Sequence, residues 1–266
     1  MIFTPDSKHA TRVTPSPNHG ERRNGARPDM LILHYTGMTN AAEALARLCS
    51  PASEVSAHYL IFEDGRILQM VAEARRAWHA GVSFWAGERD INSCSIGIEI
   101  ANPGHDFGYP DFPESQIAAV IALARDILGR HAIAADRVIA HSDIAPSRKQ
   151  DPGEKFPWRR LHEAGVGLWV EPALPDDTLG TAFGDAGPQV LLLQAALALY
   201  GYGVTQTGTY DELTRAVVMA FQRHFRPTRV DGRADASTIT TLRDLLAARD
   251  AHAATALDGR PSPPHS

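Results

Sequence analysis

Hydrophobic positions fall into two regimes along this chain. In the first part they come as short aliphatic runs separated by turns. Met30-Leu31-Ile32-Leu33 is continuous and ends at His34-Tyr35-Thr36-Gly37, which predicts a buried strand with polar groups at its mouth. Asn40 suits the N-cap of a helix over Ala41–Leu48, with Leu45 and Leu48 on one face. Ala57–Phe62 and Ile67–Met70 predict two further strands, joined by a hairpin turn at Glu63-Asp64-Gly65-Arg66. Ser95–Ile100 is a fourth strand, stopped by Asn102-Pro103-Gly104. Pro113 and Glu114 open a long helix whose apolar face is Ile117, Val120, Ile121, Ala124, Ile127 and Leu128. A fifth strand, Val138-Ile139, runs into His141. Residues 1–29 read as an extended arm over the domain, and 72–92 and 101–113 as loops. The expected fold is α/β, a mixed central β-sheet flanked by helices, over residues 1–170.

Residues 171–185 carry Pro, Gly and Asp without periodicity and read as a linker. Beyond it the spacing turns helical. Val190, Leu193 and Leu197 mark one face, Leu213, Val217, Phe221 and Phe225 a second, and Ile239, Leu242 and Leu245 a third. The Gly208…Asp211…Thr214 pattern recurs as Gly232…Asp235…Thr238, a turn glycine followed by a helix-capping aspartate. Residues 186–250 therefore predict a small all-α three-helix domain, and 251–266, poor in large apolar groups, a disordered tail.

Composition narrows the class. The chain has 266 residues, 44% hydrophobic and 21% charged, as in a soluble globular protein. A net charge of −5 and a pI near 6.2 give no electrostatic footprint for nucleic acid. Two cysteines, Cys49 and Cys94, are too few for a disulfide scaffold. No run approaches the roughly 20 apolar residues of a membrane span. The N-terminal stretch has no apolar signal core, so the expected compartment is the cytoplasm.

The candidate chemistry gathers at strand ends. The RVIAHSDIAPSRKQDPG segment puts His141, Asp143, Arg148, Lys149 and Asp151 into a proline-stiffened loop after a strand. If the strands are neighbours, His34, His141 and Asp151 could coordinate one metal and leave a position open for water, as a catalytic zinc needs. The plainer readings are satisfied histidines and a solvated turn. Glu99, between Ile98 and Ile100, is costly unless paired or functional, or else lies on a wet face of its strand. Lys149 could be simply solvated. His58 and His79 could be ligands by type, but roles in packing and in the wall of a substrate groove fit them better. Trp78, Trp85 and Tyr35 offer flat surface for a sugar ring or peptide, or are ordinary half-buried aromatics.

LILHYTG, VSAHYLIFEDGRI, RAWHAG, SIGIEIANPG and IAHSDIAPSRKQDPG, in that order, resemble the zinc N-acetylmuramoyl-L-alanine amidases of the type 2 family. That fold is shared with the peptidoglycan recognition proteins. The resemblance spans roughly residues 15–165 and lies nearer the bacterial AmpD and AmiD branch than the phage branch. The phage branch has a cysteine where Asp151 stands and a tyrosine where Ala57 stands. GDAGPQVLLLQAALALYGY, TGTYDELTRAVVMAFQ and VDGRADASTITTL resemble a three-helix peptidoglycan-binding domain.

The resemblance implies that His34, His141 and Asp151 hold one zinc ion and that Glu99 and Lys149 are catalytic. Tyr35, His58, Trp78, His79 and Asn102 are the substrate-binding candidates. The implied partner is peptidoglycan or muropeptide, cleaved between N-acetylmuramic acid and L-alanine, with the helical domain acting as a tether to the polymer. Such a domain argues for the cell envelope against the cytoplasm. A non-catalytic peptidoglycan recognition protein, or a zinc peptidase acting within the stem peptide, are the rival readings.

Overall fold

The computed structural model describes residues 3–175 and 180–258. Eight strands occur among them: β1 (Arg12–Val13), β2 (His19–Glu21), β3 (Met30–Tyr35), β4 (Tyr59–Ile61), β5 (Ile67–Gln69), β6 (Arg75–Ala77), β7 (Ser95–Ile100) and β8 (Val138–Ala140). The helices are α1 (Ala41–Leu48), α2 (Ile91–Cys94), α3 (Glu114–Arg130), α4 (His141–Ile144), α5 (Trp158–Glu163), α6 (Pro188–Tyr200), α7 (Glu212–Phe225) and α8 (Ala236–Asp258).

Six strands form the main sheet in the order β1-β5-β4-β7-β3-β8, and only the β4–β5 hairpin is antiparallel. The fold is thus the expected mixed sheet with helices on both sides. Alternation along the central strands divides the apolar residues between two faces. Leu31, Leu33, Ile96, Ile98, Ile100, Val138 and Ala140 meet Ile117, Val120, Leu123, Ala124 and Ile127 of α3. Each such buried aliphatic side chain contributes about 1.5–3 kcal/mol relative to exposure. The other face begins as apolar, with Met30, Ile32 and Ile139, and becomes polar toward the strand ends, where His34 and Glu99 lie.

The arm is more structured than its composition suggests. β1 adds to the sheet edge beside β5, and β2 pairs with β6 in a separate two-stranded ribbon. Asp6 accepts from Glu73 N and Gln69 Nε2, and Arg22 donates to the carbonyls of Glu73, Ser93 and Ser95. Two- and three-residue strands carry too little periodicity to be read from sequence.

The C-terminal helices show the repeat in three dimensions. Gly208 and Gly232 both take positive φ, and Asp211 and Asp235 cap α7 and α8 by accepting from Thr214 N and Thr238 N. The echo extends to a buried glutamine. Gln194 accepts from Gly208 N and donates to Thr214 Oγ1, while Gln222 accepts from Gly232 N and donates to Thr238 Oγ1. Ile239, expected on an inner face, is exposed. α8 continues through Asp258, where a disordered tail was expected from residue 251; the remainder of that tail lies outside the described residues. The described parts of the expected linker lie on the helices: Ala173 bonds to Thr241 and Ser237, and Thr181 pairs with Ala234.

The helical unit does not hang free. Its core residues Val190, Leu197, Tyr200, Tyr202, Phe221 and Phe225 form one continuous cluster with Met30, Ile32 and Ile139 of the sheet's second face, Ile144 of α4 and Trp85 of the loop before α2. Trp85, a candidate sugar platform by sequence, is instead buried at this junction, edge-on to Tyr200 and Tyr202. Gly201 lets it in: φ is +142° there, and a Cβ would sit 2.7 Å from the indole. Gly201→Ala should therefore lower unfolding free energy by about 1–3 kcal/mol through overpacking, measured by urea denaturation; an unchanged midpoint would show that the junction is loosely packed.

Candidate active site

The site is a consequence of strand register. β3 lies between β7 and β8, all parallel, with His34 opposite Glu99 and Leu33 opposite Ala140. His141 directly follows β8, so His34, Glu99 and His141 emerge side by side at the carboxyl ends of three adjacent strands. The loop after α4 returns Asp151 to the same place, tied down by Ser142 N donating to Asp151 O across 3.0 Å. The Asp151–Pro152 peptide is cis.

His34, His141 and Asp151 are all buried and converge. The two Nδ1 atoms are 2.9 Å apart, and Asp151 Oδ2 is 3.2 Å from His34 Nδ1 and 2.9 Å from His141 Nδ1. The hydrogen bonds behind the rings fix their tautomers. Ser95 Oγ donates to Ile91 O at 2.6 Å, so it must accept from His79 Nε2 at 3.2 Å. A neutral His79 then has its lone pair on Nδ1 and accepts from His34 Nε2 at 3.1 Å. His34 Nδ1 is left with a lone pair. His141 Nε2 faces Ala80 O at 3.1 Å and must donate to it, so its Nδ1 also carries a lone pair. Two imidazole lone pairs and a carboxylate oxygen thus face one point with no proton among them. A proton or a metal ion at that point relieves the arrangement.

Burial, reinforced by His141, lowers His34 to about 4, keeping it neutral near pH 7. Burial pushes Asp151 up, but positive charge and a donated proton at the facing imidazole nitrogens outweigh it and hold the group well below the usual carboxylate range; a cation at the same point would act in the same sense. Burial, then the negative charge of Asp151, raises Glu99 to about 8, with Lys149 opposing. Glu99 Oε2 is enclosed and has no hydrogen-bond partner among the described residues.

A groove of about 470 Å³ opens over these groups. Tyr35, Trp78, His79, Glu99, Lys149 and Asp151 line it, joined by Arg47, His105 and Arg148, which sequence reasoning did not single out as substrate-facing. Tyr35 Oη is 2.9 Å from His105 Nδ1, and His105 Nε2 is 3.1 Å from Glu154. Arg148 braces the wall by donating to the carbonyls of Ala80 and Val82.

Two candidates do not belong to the groove. His58 is fully buried with both nitrogens engaged, Nδ1 accepting from Gly97 N and Nε2 donating to Arg75 O. Asn102 is buried as a loop brace, donating to Pro110 O and accepting from Gly104 N. His79 lines the groove but acts mainly behind His34. Gly97 makes its place possible, since a Cβ there would lie 2.5 Å from the His79 ring. A glycine inside an otherwise aliphatic strand was the available sequence signal for such a close approach.

Residues 24–154 match the N-acetylmuramoyl-L-alanine amidase family, and residues 186–242 a putative peptidoglycan binding domain. The chain is 40% identical over 229 residues to N-acetylmuramoyl-L-alanine amidase AmiD of Escherichia coli, covering 82% of each. It is 35% identical over 170 residues to the 1,6-anhydro-N-acetylmuramyl-L-alanine amidase AmpD of Enterobacter cloacae, 57% of this chain and 88% of that one. Among solved structures, E. coli AmiD in complex with the substrate anhydro-N-acetylmuramic acid-L-Ala-D-gamma-Glu-L-Lys matches with a TM-score of 0.71 and 38% identity, over 84% of this chain and 91% of that one. AmpDH3 of Pseudomonas aeruginosa matches with a TM-score of 0.71 and 35% identity, over 92% and 98%. With its converging imidazoles and carboxylate on this fold, the chain belongs to the N-acetylmuramoyl-L-alanine amidase family.

Proposed function

We propose that the protein is a zinc hydrolase that cleaves the amide between the lactyl group of N-acetylmuramic acid and L-alanine of the stem peptide. The observation that carries this reading is the set of three proton-free donors, His34 Nδ1, His141 Nδ1 and Asp151 Oδ2, aimed at one point at the base of a groove. Ligand atoms on a tetrahedral zinc at about 2.0–2.1 Å lie roughly 3.3 Å from one another, close to the spacing of these three. Nitrogen and carboxylate donors suit zinc, and three protein ligands leave the open position of a catalytic site. Bound there, zinc supplies Lewis acidity, which brings the pKa of a water toward about 7 and polarises the scissile carbonyl.

The chain's own residues do the rest. Glu99 stands beside His34 across the strand pair; in its ionised form, which a cation held by His34, His141 and Asp151 would favour, it accepts the proton of the attacking water. Its high proton affinity also makes it the donor to the departing amine, so one carboxyl serves both transfers. The water's hydroxyl becomes part of the new lactyl carboxyl group, the C–N bond breaks, and L-alanine leaves with a free amine. Lys149, lining the groove, presents its cation to the oxygen that gains charge during attack. A recognition protein without catalysis has no use for an enclosed, unpartnered carboxylate at this point.

Glu99→Ala should reduce turnover by about 10²–10⁴-fold while zinc stays bound, checked by metal content and by mass analysis of released stem peptide. Full activity would remove Glu99 from the reaction. Gly97→Ala should push the His79 ring off His34 and weaken zinc binding by about 10–100-fold, read by chelator competition; wild-type affinity would show that His79 does not hold His34. The raised pKa of Glu99 gives a stability test in metal-stripped protein. The folded state holds the proton up to about pH 8, whereas the unfolded chain loses it near 4.5, so stability falls as pH rises through that window. Glu99→Gln should match wild type below pH 4.5 and melt at a higher temperature by pH 8.5. A difference that does not grow with pH would contradict the burial of that carboxyl.

A further inference from the structure

A buried carboxylate links the helical unit to the pocket of His34, His141 and Asp151. Asp143 lies two residues after His141, in α4, and has no solvent exposure. Three donors surround it. Ala140 N donates to Oδ2 at 2.8 Å, His224 Nδ1 donates to Oδ2 at 2.7 Å, and Tyr202 Oη donates to Oδ1 at 2.7 Å. The first comes from the residue immediately before His141. The other two come from the helical unit.

This arrangement brackets a metal-site residue. Asp143 grips the backbone at Ala140 and so closes the turn on which His141 sits. The same turn holds Asp151, through Ser142 N donating to Asp151 O. A carboxylate this deeply buried stays in place only while its donors satisfy it. Both outside donors are rigid. His224 is stacked on Trp158 with ring centres 3.7 Å apart, and Tyr202 packs edge-on against Trp85 at 4.9 Å. The segment facing His141 from the other side is tied to the same junction: Ala80 O receives His141 Nε2, Phe84 N donates to Ile144 O, and Ala86 N donates to Gly201 O.

We propose that Tyr202 and His224 are positioning residues for the amidase reaction, holding His141 and Asp151 in metal-binding geometry through Asp143. The helical unit is then a structural part of the catalytic centre in addition to whatever wall-binding surface it carries. This rests on the zinc reading above.

The test uses the full-length chain. Tyr202→Phe keeps the ring against Trp85 and removes only the hydroxyl; Tyr202→Phe combined with His224→Phe removes both donors. Zinc affinity by chelator competition, kcat and KM on an anhydro-muropeptide, and the thermal midpoint are measured for each. The expected result is zinc affinity down by about tenfold or more in the double variant, with kcat at limiting zinc falling and KM held. Adding Asp143→Asn to the double variant should recover part of the affinity, because it removes the uncompensated charge. If the double variant fails to fold, Tyr202→Phe alone should still show a measurable loss of zinc affinity. A folded double variant, or in its absence a folded Tyr202→Phe protein, that binds zinc like wild type would overturn the proposal, since a purely structural contact lowers only the melting temperature. Wild-type protein that binds no zinc would instead overturn the metal reading, and this proposal with it.

Discussion

Electron pairs facing one another without a proton between them are the constraint on which this site depends. Such an arrangement is unfavourable in isolation, and a chain left to itself would rotate an imidazole or pick up a proton. It persists because each ring is anchored at its rear nitrogen, His34 through His79 and Ser95 to a backbone carbonyl, and His141 directly to Ala80 O. Carbonyls cannot donate, so the direction of every bond in the chain is settled from its far end. The inward-facing lone pairs follow from backbone placement, several bonds away from the point where the three side chains converge.

That backbone placement is in turn a property of the sheet. Parallel strands bring their carboxyl ends together, and residues in lateral register project to the same face. His34 and Glu99 are such a pair, and His141 follows the next strand over. The face opposite is uniformly apolar under α3 and locks the register, since a slip by one residue would turn the histidine against α3 and the leucines toward the groove. The catalytic face can be polar because the other face supplies the stability.

Much of this was legible in the sequence, for reasons that differ by element. β3, β7 and α3 are long enough to show their period, so their bounds fall close to expectation. His34, Glu99 and His141 were visible as polar residues ending or interrupting aliphatic runs, where a polar group needs a reason. β1, β2 and β6 were not visible, because two or three residues have no period and these strands exist only through their partners. Residue type alone also does not place His58 and Asn102, which lie outside the lining of the groove. Residue type says what a side chain can bond to, but not that backbone groups take it up: His58 is held by Gly97 N and Arg75 O, and Asn102 by Gly104 N and Pro110 O within its own loop. Trp85, open by sequence between a sugar platform and an ordinary packed aromatic, is the latter, and its partners lie beyond the expected linker. Asp143 was seen as one more loop carboxylate, and its burial is set by Tyr202 and His224, 59 and 81 residues further on.

The junction changes what the helical unit can be. A module on a flexible linker acts through effective concentration, and its orientation relative to the active site is free. Here the two parts share one apolar cluster, Trp85 is wedged between them over Gly201, and a buried carboxylate is satisfied only when they are docked. Separating them would expose several large aromatic side chains and leave Asp143 without two of its three donors, so docking and catalytic geometry are stabilised by the same contacts. A ligand held by the helices would therefore meet the groove at a fixed angle and distance, where a loose tether would leave both free.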